Sequence, residues 1–190
     1  MRGKRIAAIT AVAAAAAGFS AALPATASAD ERVCRGTIGA RTLDNVRVPS
    51  GATCRLKGTV VKGTVTVKRN AVLVANRVRV VGNVQGENAK RVVVQRKSRV
   101  GGSVQVKQGG AAVVRGSRVN GDIQYDDNRR YLRANRNSVG GNIQIVGNRG
   151  GAEVIRNRIV GNLQCKENSP RPTGRGNVVG GNKEDQCRRF

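Results

Sequence analysis

Arginine carries most of the chemistry that this sequence offers. Residues 30–190 contain 24 arginines and 8 lysines against 11 acidic residues, a net charge of +21. Guanidinium forks meet carboxylate or phosphate oxygens two at a time, so the excess points to anionic partners rather than to diffuse charge. The cations are also ordered. Counted from a recurring glycine (Gly82, Gly102, Gly121, Gly141, Gly161), the residues five places before are Arg77, Lys97, Gly116, Arg136 and Arg156. Those three places before are Arg79, Arg99, Arg118, Ser138 and Arg158. Two apart on one strand, these positions share a face and predict a double basic stripe, with successive rungs about 4.8 Å apart.

The stripe has two readings. As a binding surface it tracks an anionic polymer such as teichoic acid or an acidic polysaccharide. As a solvated face it keeps a repetitive β-protein soluble and stops edge pairing. A charge of +21 exceeds the roughly 2 to 8 that solubility asks of a small domain, which favours binding. A dedicated nucleic-acid partner is not expected. Sequence-tolerant single-strand binders interleave aromatics with cations, and only Tyr125, Tyr131 and Phe190 are aromatic after residue 29. Contact with DNA would be electrostatic, non-specific and salt-dependent.

Catalysis finds little support. Histidine is absent, which removes histidine-based triads and histidine-containing zinc sites. The one acidic cluster is Asp122, Asp126 and Asp127. Four residues along an extended strand separate Asp122 from Asp126 by roughly 13 Å, beyond the about 5 to 9.5 Å that glycoside hydrolysis needs between carboxylates. The expectation is a non-enzyme with no catalytic residues, no metal and no cofactor.

The elements that position the stripe are legible from the repeat. Gly82-Asn83-Val84-Gln85, Gly102-Ser103-Val104-Gln105, Gly121-Asp122-Ile123-Gln124, Gly141-Asn142-Ile143-Gln144 and Gly161-Asn162-Leu163-Gln164 recur every 19 or 20 residues. Such a period marks a solenoid, each coil burying its apolar face against its neighbours. Apolar residues two and four after the glycine, with glutamine between, read as a short strand. Two before it stands Val61, Val80, Val100, Val119, Val139, Ile159 or Val179, and a third apolar patch lies mid-repeat (Val72 to Val74, Val92 to Val94, Ala111 to Val114, Val154-Ile155). The prediction is an all-β, single-domain parallel β-helix of about 20 residues per coil, three short strands per coil and roughly seven coils. The repeat glycines and asparagines are expected at corners that need positive φ, and Asn76, Asn135 and Asn157 are candidates for axial ladders.

The four cysteines fit that plan. Cys34 and Cys54 are 20 residues apart and Cys165 and Cys187 are 22 apart, each close to one coil. Partners stacked on neighbouring rungs would lie within disulfide reach, which predicts Cys34–Cys54 at one end and Cys165–Cys187 at the other.

Compartment is read from the start of the chain. Arg2, Lys4 and Arg5, an alanine-rich run from Ile6 to Ala17 and Ala27-Ser28-Ala29 make a signal peptide over residues 1–29, cleaved before Asp30. The apolar run is shorter than the roughly 20 residues of a membrane span. A secreted protein without a transmembrane segment is expected, associated with the cell wall if the stripe binds. The coil pattern resembles right-handed parallel β-helix proteins. The alanine-rich start, together with the tail from Gly161-Asn162-Leu163-Gln164-Cys165 through Gly180-Gly181-Asn182 to Gln186-Cys187, resembles small secreted proteins of actinobacteria. The resemblance implies the fold and export and carries no catalytic motif. The expected function is non-catalytic binding of an anionic polymer at the cell envelope. The alternatives are a structural or surface-assembling secreted protein and, less favoured, a polysaccharide lyase.

Overall fold

The computed structural model describes residues 30–190; the expected signal peptide lies outside the described residues. The chain winds through three parallel sheets, one of nine strands and two of eight. No helix occurs among the described residues. Every strand pairs with its counterpart about one coil away, which makes about eight coils, one more than the repeat count predicts.

Each sheet has its own register. In the first, Val65, Val84, Val104, Ile123, Ile143 and Leu163 form one buried column. The intervening glutamines face out and join into a one-way ladder. Nε2 of Gln85 donates to Oε1 of Gln105 at 3.2 Å, and Gln124, Gln144 and Gln164 continue it to the Glu184 carboxylate. The mid-repeat patch supplies the second sheet. There Leu73, Val92, Ala112, Leu132 and Ala152 point inward, while Val74, Val93 and Val113 form an apolar column on the outer face. The third sheet has strands of two residues, such as Arg79–Val80 and Arg158–Ile159, that deliver the column from Val61 to Ile159 to the core.

The interior is aliphatic, as the scarcity of aromatics requires. The one buried aromatic among the described residues is Tyr125, whose hydroxyl donates to the Arg133 carbonyl at 3.0 Å. Burial pushes its phenol far above the ordinary range. At the C-terminal end the Phe190 ring lies directly on the Gly174 backbone, leaving no room for a Cβ there.

Side-chain ladders hold the corners. Two are buried. Asn128, Asn148 and Asn168 line one, where Oδ1 of each of the last two accepts both the backbone N–H and the Nδ2 of the asparagine one coil before. Asn137, Asn157 and Asn177 line the other in the same way. Each satisfies backbone groups that a buried corner would otherwise orphan. Of the three asparagines named from sequence, only Asn157 sits in these ladders. Asn76 and Asn135 lie on the outer face of the second sheet, where Asn76 accepts from Gln95 and Asn135 accepts from the Ile155 N–H.

A third ladder explains the repeat glycine and corrects the reason expected for it. Asn45, Thr64, Asn83, Ser103, Asp122, Asn142 and Asn162 each accept the backbone N–H of the matching residue one coil on. A glycine precedes each of these from Thr64 onward, and none of the six has a positive φ. It is required by proximity: a Cβ on Gly82 would lie 2.8 Å from Thr64 Oγ1 and from the Gly63 carbonyl oxygen. A Cβ on Gly141 would overlap the Asp122 carboxylate, which accepts the Asn142 N–H at 2.6 Å. Gly141→Ala is therefore expected to lower stability by about 2–3 kcal/mol, read from chemical denaturation. A loss under about 0.5 kcal/mol would show that the ladder can shift aside.

Both disulfides form as paired from sequence, with Cα separations of 5.5 Å for Cys34–Cys54 and 5.2 Å for Cys165–Cys187. The register differs from simple rung-on-rung stacking. Cys54 is level with Gly36 in the second sheet, whereas Cys34 follows the first-sheet strand Glu31–Val33. Cys165 is level with Asp185, two residues before Cys187. Each bridge therefore joins an end coil to the neighbouring coil, offset by two residues from direct register.

Candidate anion-binding edge

The third sheet brings the first predicted column into line. Arg79, Arg99, Arg118, Ser138 and Arg158 are successive register partners, and all four arginines are exposed.

The second column is not on that strand. Arg77, Lys97, Arg136 and Arg156 have φ of 52°, 64°, 56° and 53°, and Gly116 has 55°. They form the left-handed corner that leads from the second sheet into the third. The two columns still share the outer side, because the residue between them turns inward; Ser98, Ser117, Asn137 and Asn157 are all buried there. The left-handed region costs a residue with a Cβ roughly 1–2 kcal/mol, and glycine is the residue that avoids it. Four coils nonetheless carry arginine or lysine at this corner.

The neighbouring column on the second sheet completes the edge. Lys57, Asn76, Gln95, Arg115, Asn135, Ile155 and Arg175 are successive register partners, each lying just before the corner. Where the corner residue is Gly58, Gly116 or Gly176, the residue before it is Lys57, Arg115 or Arg175. Where the corner residue is itself a cation, the sheet residue is Asn76, Gln95, Asn135 or Ile155. In one coil an extra residue, Arg96, adds a second cation beside Lys97. Seven successive coils therefore each present a cation at this edge, over about 29 Å at the β-sheet spacing. Sequence reasoning missed Lys57, Arg115 and Arg175 because it aligned single columns. The signal was the exchange of the cation between two adjacent positions.

None of these residues is neutralised by an ion pair among the described residues, where the pairs are Arg47–Glu31, Lys62–Asp44, Lys107–Asp126, Arg133–Glu153 and Lys166–Glu167. The acidic cluster is dispersed. Asp122 belongs to a corner ladder, Asp126 lies 3.5 Å from Lys107, and Asp127 sits at a left-handed corner with φ of 55°. Burial raises the Asp126 pKa, and the Lys107 ammonium opposes the shift. No group of three acidic or cysteine side chains is placed to hold a metal among the described residues. No family model, curated protein or solved structure matches this chain.

Proposed function

We propose that this is a secreted, non-catalytic β-solenoid whose basic edge binds an anionic polymer at the cell envelope. One observation carries the reading: the edge keeps a cation in every coil from Lys57 to Arg175, through whichever of two positions supplies it. Glycine fits these left-handed corners best, yet four of the seven coils hold a cation there and the other three hold it one residue before. The register gives the charges a fixed pitch, and guanidinium forks free of ion pairs stay open for ligand oxygens.

Export is supported by the charged, alanine-rich start and by two disulfides, which persist in oxidising surroundings. No helix among the described residues is long and apolar enough to cross a membrane. The resemblance to small secreted proteins of actinobacteria is the reason that wall teichoic acid heads the polymers to be tested.

The test is salt-dependent binding of residues 30–190 to wall teichoic acid, polygalacturonate and duplex DNA, beside the variant R79Q/R99Q/R118Q/R158Q. The expected result is preference for one polymer, with affinity in the variant at least about a hundredfold weaker and the slope of log affinity against log salt reduced by about 3. Equal, weak binding to all three that vanishes at moderate salt would make the charge a general surface property. A structural role would then replace the binding role.

A further inference from the structure

The edge is not uniform along its length, and its C-terminal half closes into a bay. On four consecutive coils the cation alternates from sheet side to corner side and back: Arg115, then Arg136, then Arg156, then Arg175. Arg115 and Arg175 are three rungs apart, about 14 Å. Between them the sheet column carries the shorter side chains of Asn135 and Ile155. The corner glycines Gly116 and Gly176 carry no side chain beyond the two end arginines, and the Arg156 stem packs 3.4 Å from where a Cβ on Gly176 would lie. The result is a depression of about 270 Å³ walled by Arg115, Arg136, Arg156 and Arg175, with the Arg133–Glu153 pair on its far side. Glu153 also lines the bay, but its carboxylate is engaged chiefly by residues outside the four. Its carboxylate is taken by Arg133 Nε at 3.1 Å and by Asn135 Nδ2. The Asn135 hydrogen bond, and after it Arg133, hold its pKa down, with Arg175 contributing least.

We propose that this bay is a discrete site for a compact, multiply charged phosphate group, a phosphomonoester or condensed phosphate, within the broader polymer-binding edge. The inference rests on the edge reading and narrows its ligand. Four guanidinium groups outside any ion pair approach from both ends and one side. A tetrahedral phosphate offers oxygens in several directions and satisfies forks from opposing walls, whereas a planar carboxylate is saturated from one side. No aromatic side chain lines the bay, so nothing there offers a sugar ring a stacking platform. The N-terminal half repeats the order as Lys57, Arg77, Lys97 and Arg115, but two of its four cations are lysines, which meet phosphate as point charges without the guanidinium fork.

Titration calorimetry of residues 30–190 with pyrophosphate and with citrate, at one ionic strength near neutral pH, tests the site. The expected result is one pyrophosphate per chain, bound at least tenfold more tightly than citrate. R115Q/R175Q should weaken pyrophosphate at least tenfold, and R32Q/R41Q, exposed in the first coil and outside the edge, should change it less than twofold. R136Q/R156Q gives the same readout from the other wall should the first variant fail to fold. Several weak equivalent sites, equal affinity for citrate, or unchanged affinity in both bay variants would overturn the proposal. Failure of pyrophosphate with polymer binding intact removes the bay alone. Pyrophosphate binding retained with no polymer preference removes the polymer reading and leaves the bay standing.

Discussion

Replacing all four cysteines by alanine is expected to lower the free energy of unfolding by about 6 kcal/mol. Each bridge closes a loop of 20 or 22 residues. In the chain-entropy account, closing a loop of that length in the unfolded state is worth about 3 kcal/mol. The bridges sit in opposite end coils, so their contributions should add. A solenoid interacts only through nearest neighbours, and its end coils have one neighbour instead of two. The loss should therefore appear first as fraying. Amide exchange in Glu31–Val33 and Lys183–Asp185 is expected to accelerate before that of the central strands. Guanidinium unfolding of C34A/C54A/C165A/C187A against the parent measures the total. A fall below about 1 kcal/mol would show that corner ladders and the Phe190 cap hold the ends without covalent help.

Asn157→Ala should cost about 3–5 kcal/mol, more than the Gly141→Ala change at the neighbouring ladder. Asn157 is 1% exposed. Its Oδ1 accepts the Asn137 N–H at 3.0 Å and the Asn137 Nδ2 at 3.1 Å, and its own Nδ2 donates to the Ala134 carbonyl at 2.7 Å. Truncation leaves the Asn137 N–H and the Ala134 carbonyl without these partners in a dry corner, at about 1–3 kcal/mol each, and removes further amide contacts around them. Gln124→Ala gives the contrast. It also breaks two side-chain amide bonds, to Gln105 and Gln144, but on an outer face where water replaces them, so less than about 1 kcal/mol is expected. The two variants should be compared by chemical denaturation. A difference under about 1 kcal/mol would refute the view that the buried ladder, rather than hydrogen bonding along the axis in general, organises the corner.

The parts of the fold that depend on distance along the chain were legible, and those that depend on how a corner turns were not. The column from Val61 to Val179 and the Val–Gln–Val strands follow from alternation, and both cysteine pairs follow from coil length. Periodicity says nothing about φ, and here the left-handed positions are held by Asn70, Asn88, Gln108, Asp127 and Glu167 at one corner and by Arg77, Lys97, Arg136 and Arg156 at another. A rule that looks for glycine at such places finds the repeat glycine instead, whose role is close approach to the coil before. The same blindness divided the basic edge. Arg115 and Arg175 lie one residue before the corner column, and only the register of the second sheet places them beside Arg136 and Arg156. Consecutive apolar residues such as Val92 to Val94 did carry a further signal. A strand feeds alternate residues to the core, so the middle one, Val93, lies on the opposite face, outside the core cluster although it too is buried.

The placement of the two bridges also sets how the molecule yields to a pulling force. Peeling one coil from the stack releases about 20 residues, roughly 70 Å of extended chain. The loops between Cys34 and Cys54 and between Cys165 and Cys187 span 20 and 22 residues, and neither can lengthen while its bridge is intact. Roughly 150 Å of contour is thereby withheld from extension. Tension applied at the termini therefore extends only the coils between the two bridges, in steps of about 70 Å, and leaves a closed loop at each end.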